Sequence, residues 1–565
     1  MSLFSSIQLA NNALKAQQIG LQVVGQNIAN ANTPGYIREE VKLAPAATQQ
    51  YGGLLLGLGV QVVSVKQKID LFLEQRLRNS TSDRARGEVK EQSYQQLEAM
   101  VNALGDNNLS TSLNNFFSSI AQVLNQPESV AARNLAALKG QTLAQDISSL
   151  STRARQNRSD MNDRVTKMSD DINRLVEEVR SLNQRITQAE AGDSSKSDAV
   201  GLRDQRYKAL TSLSELIDIR VDEQNSGAVN VYNGGSYLVF EALSRKVEVA
   251  QSTDRGLTIS NLQFADSKAP IDASGGELSG LIESRDQIIG GFLDQLDDFA
   301  HTLAFEFNRV YSSGQGLKGF SELTSNNHVA NTDAPLDAAG LSFTPVNGSF
   351  QVKVYNRQTK ITQTTDIQVK LNGLDDDTSL TDLVAQINGI NGLSASLTAD
   401  KRLKIVSNAS NQEFAFADDT SGALAALGVN VYFTGNSAIS LGVDQGVLDD
   451  PARFAASTKG IGSDTDNATK LAAFLDRPLE SKNNSTLADL YDKLAGDLTQ
   501  ASSVAKADAD GFRVFEQTLV GHKNAVSGVS LDDEAVNMLA YQRVFQTSAK
   551  YIATLNELLG ILVNL

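Results

Sequence analysis

The sequence predicts a mainly α-helical, multidomain protein with β insertions and a nested topology. Three observations support this fold class. Apolar residues recur at heptad spacing at both ends of the chain, a nearly continuous helical pattern fills much of the middle, and strand patterns dominate about 219–280 and 331–450. Because the two terminal patterns match, we expect the N- and C-terminal helices to pair as a coiled coil. A long helical-bundle middle domain and an outer, mostly β inserted domain complete the prediction.

The N-terminal helix is predicted from an apolar residue at every seventh position. These residues are Ile7, Leu14, Leu21 and Ile28. The helix should end near 31–33, because Pro34 lacks a backbone N–H and disfavours helical geometry at the preceding residue. Gly35 then permits the positive φ of a turn.

The C-terminal helix shows the same spacing. Its repeating residues are Leu531, Met538, Phe545, Ile552 and Leu559. An isolated helix of this length is marginally stable in water, so each terminal helix needs a partner. We therefore predict a terminal coiled-coil inner domain formed by 1–33 plus 531–565, in which these residues and their N-terminal counterparts form the interface.

The segment after the first turn alternates apolar and polar residues in "YIREEVKLAP" and "GVQVVSVKQKI", which predicts two strands. The glycine-rich "YGGLLLGLG" between them matches no phosphate-binding spacing and is interpreted as a flexible hairpin connection. From Ile69 to about Asp218 the pattern is helical, with breaks at "LGDNN" and Pro127. Apolar residues at spacings of three and four between Met161 and Ile186 predict a long, coiled-coil-like helix.

Strand patterns follow at about 219–280, where Asn233-Gly234 predicts a hairpin turn. Helix returns over 281–310, and 331–450 is strand-rich with one short helix at "LTDLVAQING". From Pro451 to the end the pattern is again helical. We expect 34–330 plus 451–530 to form an elongated helical domain with β-hairpins, and 331–450 to form the outer β-rich inserted domain.

The composition narrows the possible partners. The 565 residues include 50 Lys and Arg against 66 Asp and Glu, a formal net charge of −16, and no dense basic run. Because nucleic acid and anionic membranes bind clustered positive charge, neither is an expected partner. The chain has no cysteine, which excludes disulfides and thiolate sites. It shows no secretory signal pattern and no apolar run near the ~20 residues of a membrane helix. It therefore reads as cytoplasmic unless it is exported by a route without a cleaved signal.

No catalytic, cofactor-binding or metal site is predicted. The three histidines have no mutual metal-binding spacing, and the chain has no GxSxG motif. The acidic "LDDDTS" at 374–379 lacks the ligand spacing of a calcium loop and is interpreted as an exposed turn before a helix.

Two segments then point to a family. "VVGQNIANANTPGYIRE", 23–39, resembles the N-terminal motif of bacterial flagellar axial proteins, and 534–565 resembles their C-terminal helix. "LNQPESVAARN", 124–134, and "LRDQRYKALTSLSELIDI", 202–219, are similar to the flagellar hook-associated protein 1 family, the first hook-filament junction protein. Ile37 and Glu39 stand where a small polar residue and Gln are commoner.

This resemblance implies a non-enzymatic structural adaptor of the bacterial flagellum. Family members are exported by the type III apparatus from the cytoplasm and assemble as a ring between the hook protein and the second hook-filament junction protein. It further implies that an export chaperone binds the C-terminal helix. The motif expected to set the turn and the register against neighbouring subunits comprises Asn30, Asn32, Thr33, Pro34, Gly35 and Tyr36.

Two other functions stay open from the sequence. A hook or distal-rod structural protein shares the terminal motifs. A flagellum-borne hydrolase could use the 331–450 insert.

Overall fold

The computed structural model describes residues 3–51, 53–102, 108–193, 197–462 and 464–563. The chain forms two compact units. One consists of 1–92, 159–285 and 503–565, and the other of 93–158 and 286–502. The fold is mainly helical with several small β-sheets, as the sequence predicts. The division into three domains stays a prediction.

Helices, some of them long, make up most of the regular structure. They are α1 (Leu3–Ala29), α2 (Leu71–Asn102), α3 (Leu109–Asn125), α4 (Val130–Ala189), α5 (Val200–Leu216), α6 (Gly276–Glu283), α7 (Gly290–Tyr311), α8 (Leu380–Asn388), α9 (Ala423–Leu427), α10 (Gln445–Asp449), α11 (Asp466–Ala472), α12 (Leu487–Ser527) and α13 (Leu531–Val563).

The strands of the first unit are β1 (Glu39–Pro45), β2 (Thr48–Tyr51), β3 (Leu54–Gly57), β4 (Val60–Gln67), β5 (Arg220–Glu223), β6 (Val229–Asn233), β7 (Ser236–Phe240), β8 (Leu243–Ser244), β9 (Val247–Asp254) and β10 (Leu257–Phe264). They pair antiparallel as β1 with β4, β2 with β3, β9 with β10, and the four-stranded sheet β5-β6-β7-β8.

The strands of the second unit are β11 (Glu322–Thr324), β12 (Gly348–Asn356), β13 (Thr362–Val369), β14 (Leu393–Leu397), β15 (Leu403–Ser407), β16 (Gln412–Ala417), β17 (Phe433–Thr434) and β18 (Gly442–Val443). They form sheets of order β11-β15-β14 and β13-β12-β16 and the pair β17-β18.

The apolar face of α4 lies in the core of the first unit. Its buried residues are those that the spacing predicts, namely Val165, Met168, Ile172, Leu175, Val179, Leu182 and Ile186. Polar side chains of α4 bind strands directly: Asn173 Nδ2 donates to the Val247 carbonyl at 2.7 Å, and Asn183 Nδ2 donates to the Val229 carbonyl at 2.8 Å. The prediction of a long helix over 161–186 is confirmed, and strands bind part of its length.

An aromatic cluster forms the core of the second unit. Phe116 of α3 and Phe307 of α7 have ring centroids 5.5 Å apart, and both contact Tyr432 and Phe433. The Tyr432 hydroxyl donates to the Ala136 carbonyl at 2.8 Å. Beside it, the sheets around β12 and β15 share a separate apolar core with α8 and α9. The strand-rich stretch at 331–450 therefore has a core of its own.

Several local predictions are confirmed. Asn233-Gly234 forms the hairpin between β6 and β7, with Gly234 at φ +55°. The helix predicted at "LTDLVAQING" is α8, which is capped by a reciprocal hydrogen-bond pair between Ser379 and Asp382. The cap follows the "LDDDT" turn, in which Leu374, Asp375 and Asp376 are exposed as predicted, whereas Thr378 and the cap residue Ser379 are buried. The break near Pro127 lies between α3 and α4, whereas most of "LGDNN" lies outside the described residues.

Three local predictions need correction. The predicted hairpin connection between β1 and β4 is more than a flexible loop, because it contains the strand pair β2 and β3. The helix over 281–310 contains a π-helical stretch at Ser284–Ile289. Helix does not resume at Pro451: short 3-10 turns and α11 precede α12, which begins at Leu487. The periodicity of apolar residues does not predict these features, because each is too short to show a period.

No helix within the described residues combines the length and the apolarity needed to cross a bilayer.

Candidate assembly site at the terminal helices

Helices α1 and α13 pack against each other in the first unit, and small residues bring them close. A Cβ atom built on Gly20 of α1 would lie 2.8 Å from Cε1 of the Tyr541 ring. The fully buried positions of α1 are mostly small or polar: Ser6, Ala10, Ala16, Gln17, Gly20, Val23, Val24 and Asn27. The α1 surface against α13 is thus narrow and offers few large apolar side chains.

The sequence-predicted residues of α1 lie beside these buried positions. Ile7, Leu14, Leu21 and Ile28 are each half-buried; three of them directly follow the buried Ser6, Gly20 and Asn27, whereas Leu14 follows the half-buried Ala13. Heptad spacing located the helix but favoured the larger apolar neighbours, because an apolarity pattern cannot register glycine or a buried amide as an interface residue. Whether these four residues form an assembly interface stays a prediction.

On α13 the predicted residues divide into two groups. Met538, Ile552 and Leu559 are half-buried, whereas Leu531 and Phe545 are exposed. The residues buried on this helix are Glu534 and Leu555. The structure does not describe the last two residues of the predicted terminal domain.

Much of the apolar surface of α13 is exposed. We define the exposed apolar face of α13 as Val536, Leu539, Val544, Leu558 and Ile561. Val536 is 67% exposed and Ile561 is 60% exposed. Single exposed apolar residues are normal on proteins, but several on one side of a helix, as at these positions, indicate an interaction surface. In the isolated chain this part of α13 has no cover.

The "ANTPGY" segment forms the turn after α1. The helix ends at Ala29, slightly before the predicted 31–33. The Thr33 N–H donates to the Asn30 carbonyl at 2.9 Å, and the Tyr36 N–H donates to the Thr33 carbonyl at 3.1 Å. Gly35 has φ +83°, a conformation that glycine adopts without strain. Asn32, Thr33, Pro34 and Gly35 are exposed, so their side chains are available to other molecules.

Asn27 connects the end of α1 to the start of β1. Its side chain is 1% exposed. Its Oδ1 accepts from the Tyr36 hydroxyl at 2.8 Å and from the Glu39 N–H at 3.0 Å, while its Nδ2 donates to the Glu39 carbonyl at 3.0 Å. These hydrogen bonds fix the direction in which the chain leaves the turn. Asn27 lies within the 23–39 segment, but no local pattern predicts its role.

An ion pair joins the turn region to α13. Arg38 Nη2 lies 2.7 Å from Glu534 Oε1, and the Glu534 side chain is buried. The Arg38 N–H also donates to the Ser527 carbonyl at 2.9 Å, between α12 and α13. Heptad analysis overlooked both residues because it considers apolar positions only.

A cleft of about 350 Å³ opens between the turn and the start of α5. Two carboxyl groups line it, Glu39 and Asp204. Burial raises the pKa of Asp204 to about 7; the hydrogen bond from Gln67 opposes this rise, and the charge of Glu39 adds to it. Burial also raises the pKa of Glu39, and burial together with the Glu39 charge raises the pKa of Tyr36.

Among the described residues, no group of three or more His, Cys, Asp or Glu side chains could hold a metal ion.

Family comparisons agree with this arrangement. Residues 94–324 match the family model "Flagellar hook-associated protein FlgK helical domain". Residues 7–36 match "Flagella basal body rod protein". Residues 524–565 match "Flagellar basal body rod FlgEFG protein C-terminal". The two terminal matches fall on α1 with its turn and on α13.

Whole-length relatives and a solved structure extend these matches. Flagellar hook-associated protein 1 of Bacillus subtilis is 25% identical over 577 residues, which cover 100% of this chain and 98% of that protein. The Salmonella typhimurium protein of the same name is 25% identical over 587 residues, covering 99% and 100%. The solved flagellar hook junction protein FlgK of Burkholderia pseudomallei is 16% identical, covers 80% of this chain and 100% of that one, and has a TM-score of 0.50, so it supports the fold. Full-length matches and the helical-domain model agree, so the chain is similar over its whole length to the flagellar hook-associated protein 1 family.

Proposed function

We propose that this protein is a non-enzymatic structural adaptor of the bacterial flagellum, which assembles as a ring at the junction between hook and filament. Its relatives are named hook-associated, and the solved relative is described as a hook junction protein. In this proposal the ring packs on the hook protein on one side and on the second hook-filament junction protein on the other.

The observation that carries the proposal is the exposed apolar face of α13. The helix packs on α1 through one side, and Val536, Leu539, Val544, Leu558 and Ile561 have no cover in the single chain. Burying apolar side chains contributes about 25 cal/mol per Å², so neighbouring subunits that cover this face would gain stability. A soluble enzyme with no partner would have no use for such a surface.

The same face suits export before assembly. We expect the chain to leave the cytoplasm through the type III apparatus and to become a part of the flagellum outside the cell. An export chaperone that binds α13 would cover its apolar side chains until then. Removal of 531–565 should abolish chaperone binding in a pull-down with the purified chaperone, and undiminished binding would contradict this assignment.

The proposal is tested by immunogold electron microscopy of intact flagella, with antibody raised against 331–450. We expect one narrow band of label at the distal end of the hook. Label along the whole hook or on the distal rod would instead indicate a hook or rod protein, which the rod-protein matches at both termini keep as the second candidate.

Absence of flagellar label would reopen the hydrolase hypothesis for 331–450. Digestion assays with peptidoglycan and casein would then test it, and we expect no activity from the full chain.

A further inference from the structure

The cleft beside the turn brings together two segments that are distant in sequence. Its walls include Pro34 and Tyr36 of the "ANTPGY" turn on one side and Gly201, Asp204 and Gln205 of α5 on the other. Both segments carry motifs that the sequence analysis connected with the family, yet neither motif explains why an open cleft should lie between them.

Two glycines keep the cleft open. A Cβ atom at Gly35 or at Gly201 would meet no atom within 4 Å. Gly201 lies in the first turn of α5, where glycine costs about 1 kcal/mol relative to alanine. Packing within this chain therefore does not require a glycine at 201, whereas close approach of a second chain would.

The carboxyl groups in the cleft have no cationic partner. Asp204 accepts a hydrogen bond from Gln67 Nε2 at 2.6 Å, and Glu39 accepts one from the Tyr36 hydroxyl at 3.4 Å. Neither carboxyl forms an ion pair within the described part of the chain. Lys208 lines the rim and is exposed, beyond ion-pair distance of both. Burial raises the pKa of both carboxyls, and for Asp204 the charge of Lys523 opposes this rise only in part.

Basic side chains without a partner occur on α13. Arg543 and Lys550 are exposed, and neither forms an ion pair with a described residue. They follow Val536 at intervals of seven residues, so all three lie on the same side of the helix. Neighbouring subunits that cover the exposed apolar face of α13 would therefore also desolvate these cations, and a desolvated cation needs an acidic partner.

We infer that the cleft between the 30–36 turn and α5 receives Arg543 or Lys550 from α13 of a second copy of this chain. The inference rests on the proposed self-assembly and adds to it a defined contact. It explains the glycine at 201, the two carboxyls that form no ion pair with a described residue, and the unpaired cations with one arrangement. The copies then join through complementary charge as well as apolar contact, which fixes their register.

Disulfide cross-linking tests this contact, because the chain has no cysteine of its own. Gln205→Cys places a thiol on the cleft wall, and Gln546→Cys places one between Arg543 and Lys550 while keeping both cations. Flagella isolated from cells that make the full-length double variant are oxidised and run on a non-reducing gel. We expect a ladder of linked chains.

Two controls make the result specific. Gln205→Cys with Lys167→Cys moves the second thiol to an exposed site on α4 and should give no ladder. Adding Arg543→Gln and Lys550→Gln to the first variant should reduce cross-linking by about tenfold through loss of the charged contacts. A ladder of equal strength in the Lys167 control, or one that persists unchanged without the two cations, would overturn the inference.

Filling the cleft provides a second test that leaves both carboxyls intact. Gly201→Leu should fold, because the position faces open space, and should reduce cross-linking in the double-cysteine chain. Gly496→Leu, also at an open helical glycine, should not. Normal cross-linking in Gly201→Leu would contradict the inference.

Failure of the contact can be separated from failure of the proposed function. Chains that lie at the hook-filament junction by immunogold label but form no ladder would refute only the contact. Absence of the chain from isolated flagella would refute the function.

Discussion

At the scale of single residues, a few polar side chains hold the turn after α1. Asn27 is the clearest, since it is buried and serves the Tyr36 hydroxyl and both backbone groups of Glu39. Asn30, three residues on, makes only exposed side-chain hydrogen bonds: its Nδ2 donates to the Gln26 carbonyl at 3.0 Å and its Oδ1 accepts from the Thr33 hydroxyl at 3.3 Å. The two asparagines therefore have unequal roles although both precede the same turn.

Asn27→Ala should destabilise the first unit by about 2 to 3 kcal/mol, because it leaves partly buried polar groups without partners. Asn30→Ala, its matched control, should change stability by less than about 0.5 kcal/mol. Urea unfolding monitored by circular dichroism, with hydrogen exchange over 27–39, measures both. Equal effects from the two substitutions would show that Asn27 does not hold the turn.

Asp204 gives the turn region a pH dependence. Its pKa in the folded chain is about 7, above its ordinary value of 3.8. The folded state therefore retains a proton that the unfolded chain loses, and the stabilisation is complete below pH 3.8 and is lost as the pH rises through 7.

Asp204→Asn should consequently raise the melting temperature at pH 8, where the carboxyl is charged in the folded chain, and should raise it clearly less at pH 5, where only the unfolded chain has lost the proton. Thermal unfolding at the two pH values checks this. An equal shift at both would mean that Asp204 is not the titrating group.

At the scale of elements, close packing of α1 on α13 depends on Gly20. Gly20→Ala would place a methyl group 2.8 Å from the Tyr541 ring and should destabilise the pair by about 1 to 2 kcal/mol. Gly25→Ala, on the same helix, meets no atom within 4 Å and should stabilise it by up to about 1 kcal/mol. Thermal unfolding of the two variants measures the difference. Stabilisation by both would exclude tight packing at Gly20.

The elements also show what the sequence could predict. Strong periodicity located α1, α13 and the buried face of α4, and turn chemistry located the β6-β7 hairpin. Periodicity could not identify what covers α4, because strands and helices bury the same apolar face. Periodicity also did not predict the pairing of β2 with β3, because this segment combines leucines with glycines and shows no alternation.

The candidate site was less accessible from sequence than the fold. The "ANTPGY" motif was found as a turn signal, but Asn27, Arg38 and Glu534 act through hydrogen bonds and an ion pair that join distant segments. Asp204 joins the same region from α5, more than 160 residues along the chain from the turn. Such contacts depend on the fold, and no local pattern encodes them.

At the scale of the whole molecule, the cores of both units are buried, whereas the C-terminal helix exposes apolar side chains. Both units have buried apolar centres, whereas α13 leaves one apolar face open. This asymmetry fits a subunit that finishes folding as neighbours cover it. We propose that the exposed apolar face of α13 serves assembly rather than the stability of the single chain.

The most direct test replaces Val536 and Leu558 by glutamate in the full-length chain. We expect this variant, as an isolated protein, to keep its melting temperature, because both side chains are exposed. We also expect it to be absent from isolated flagella. The matched control, Gln542→Glu with Gln546→Glu, adds the same charge at exposed polar positions of α13 and should still be incorporated. Normal incorporation of the Val536 and Leu558 variant, measured by immunoblot of isolated flagella, would contradict the account.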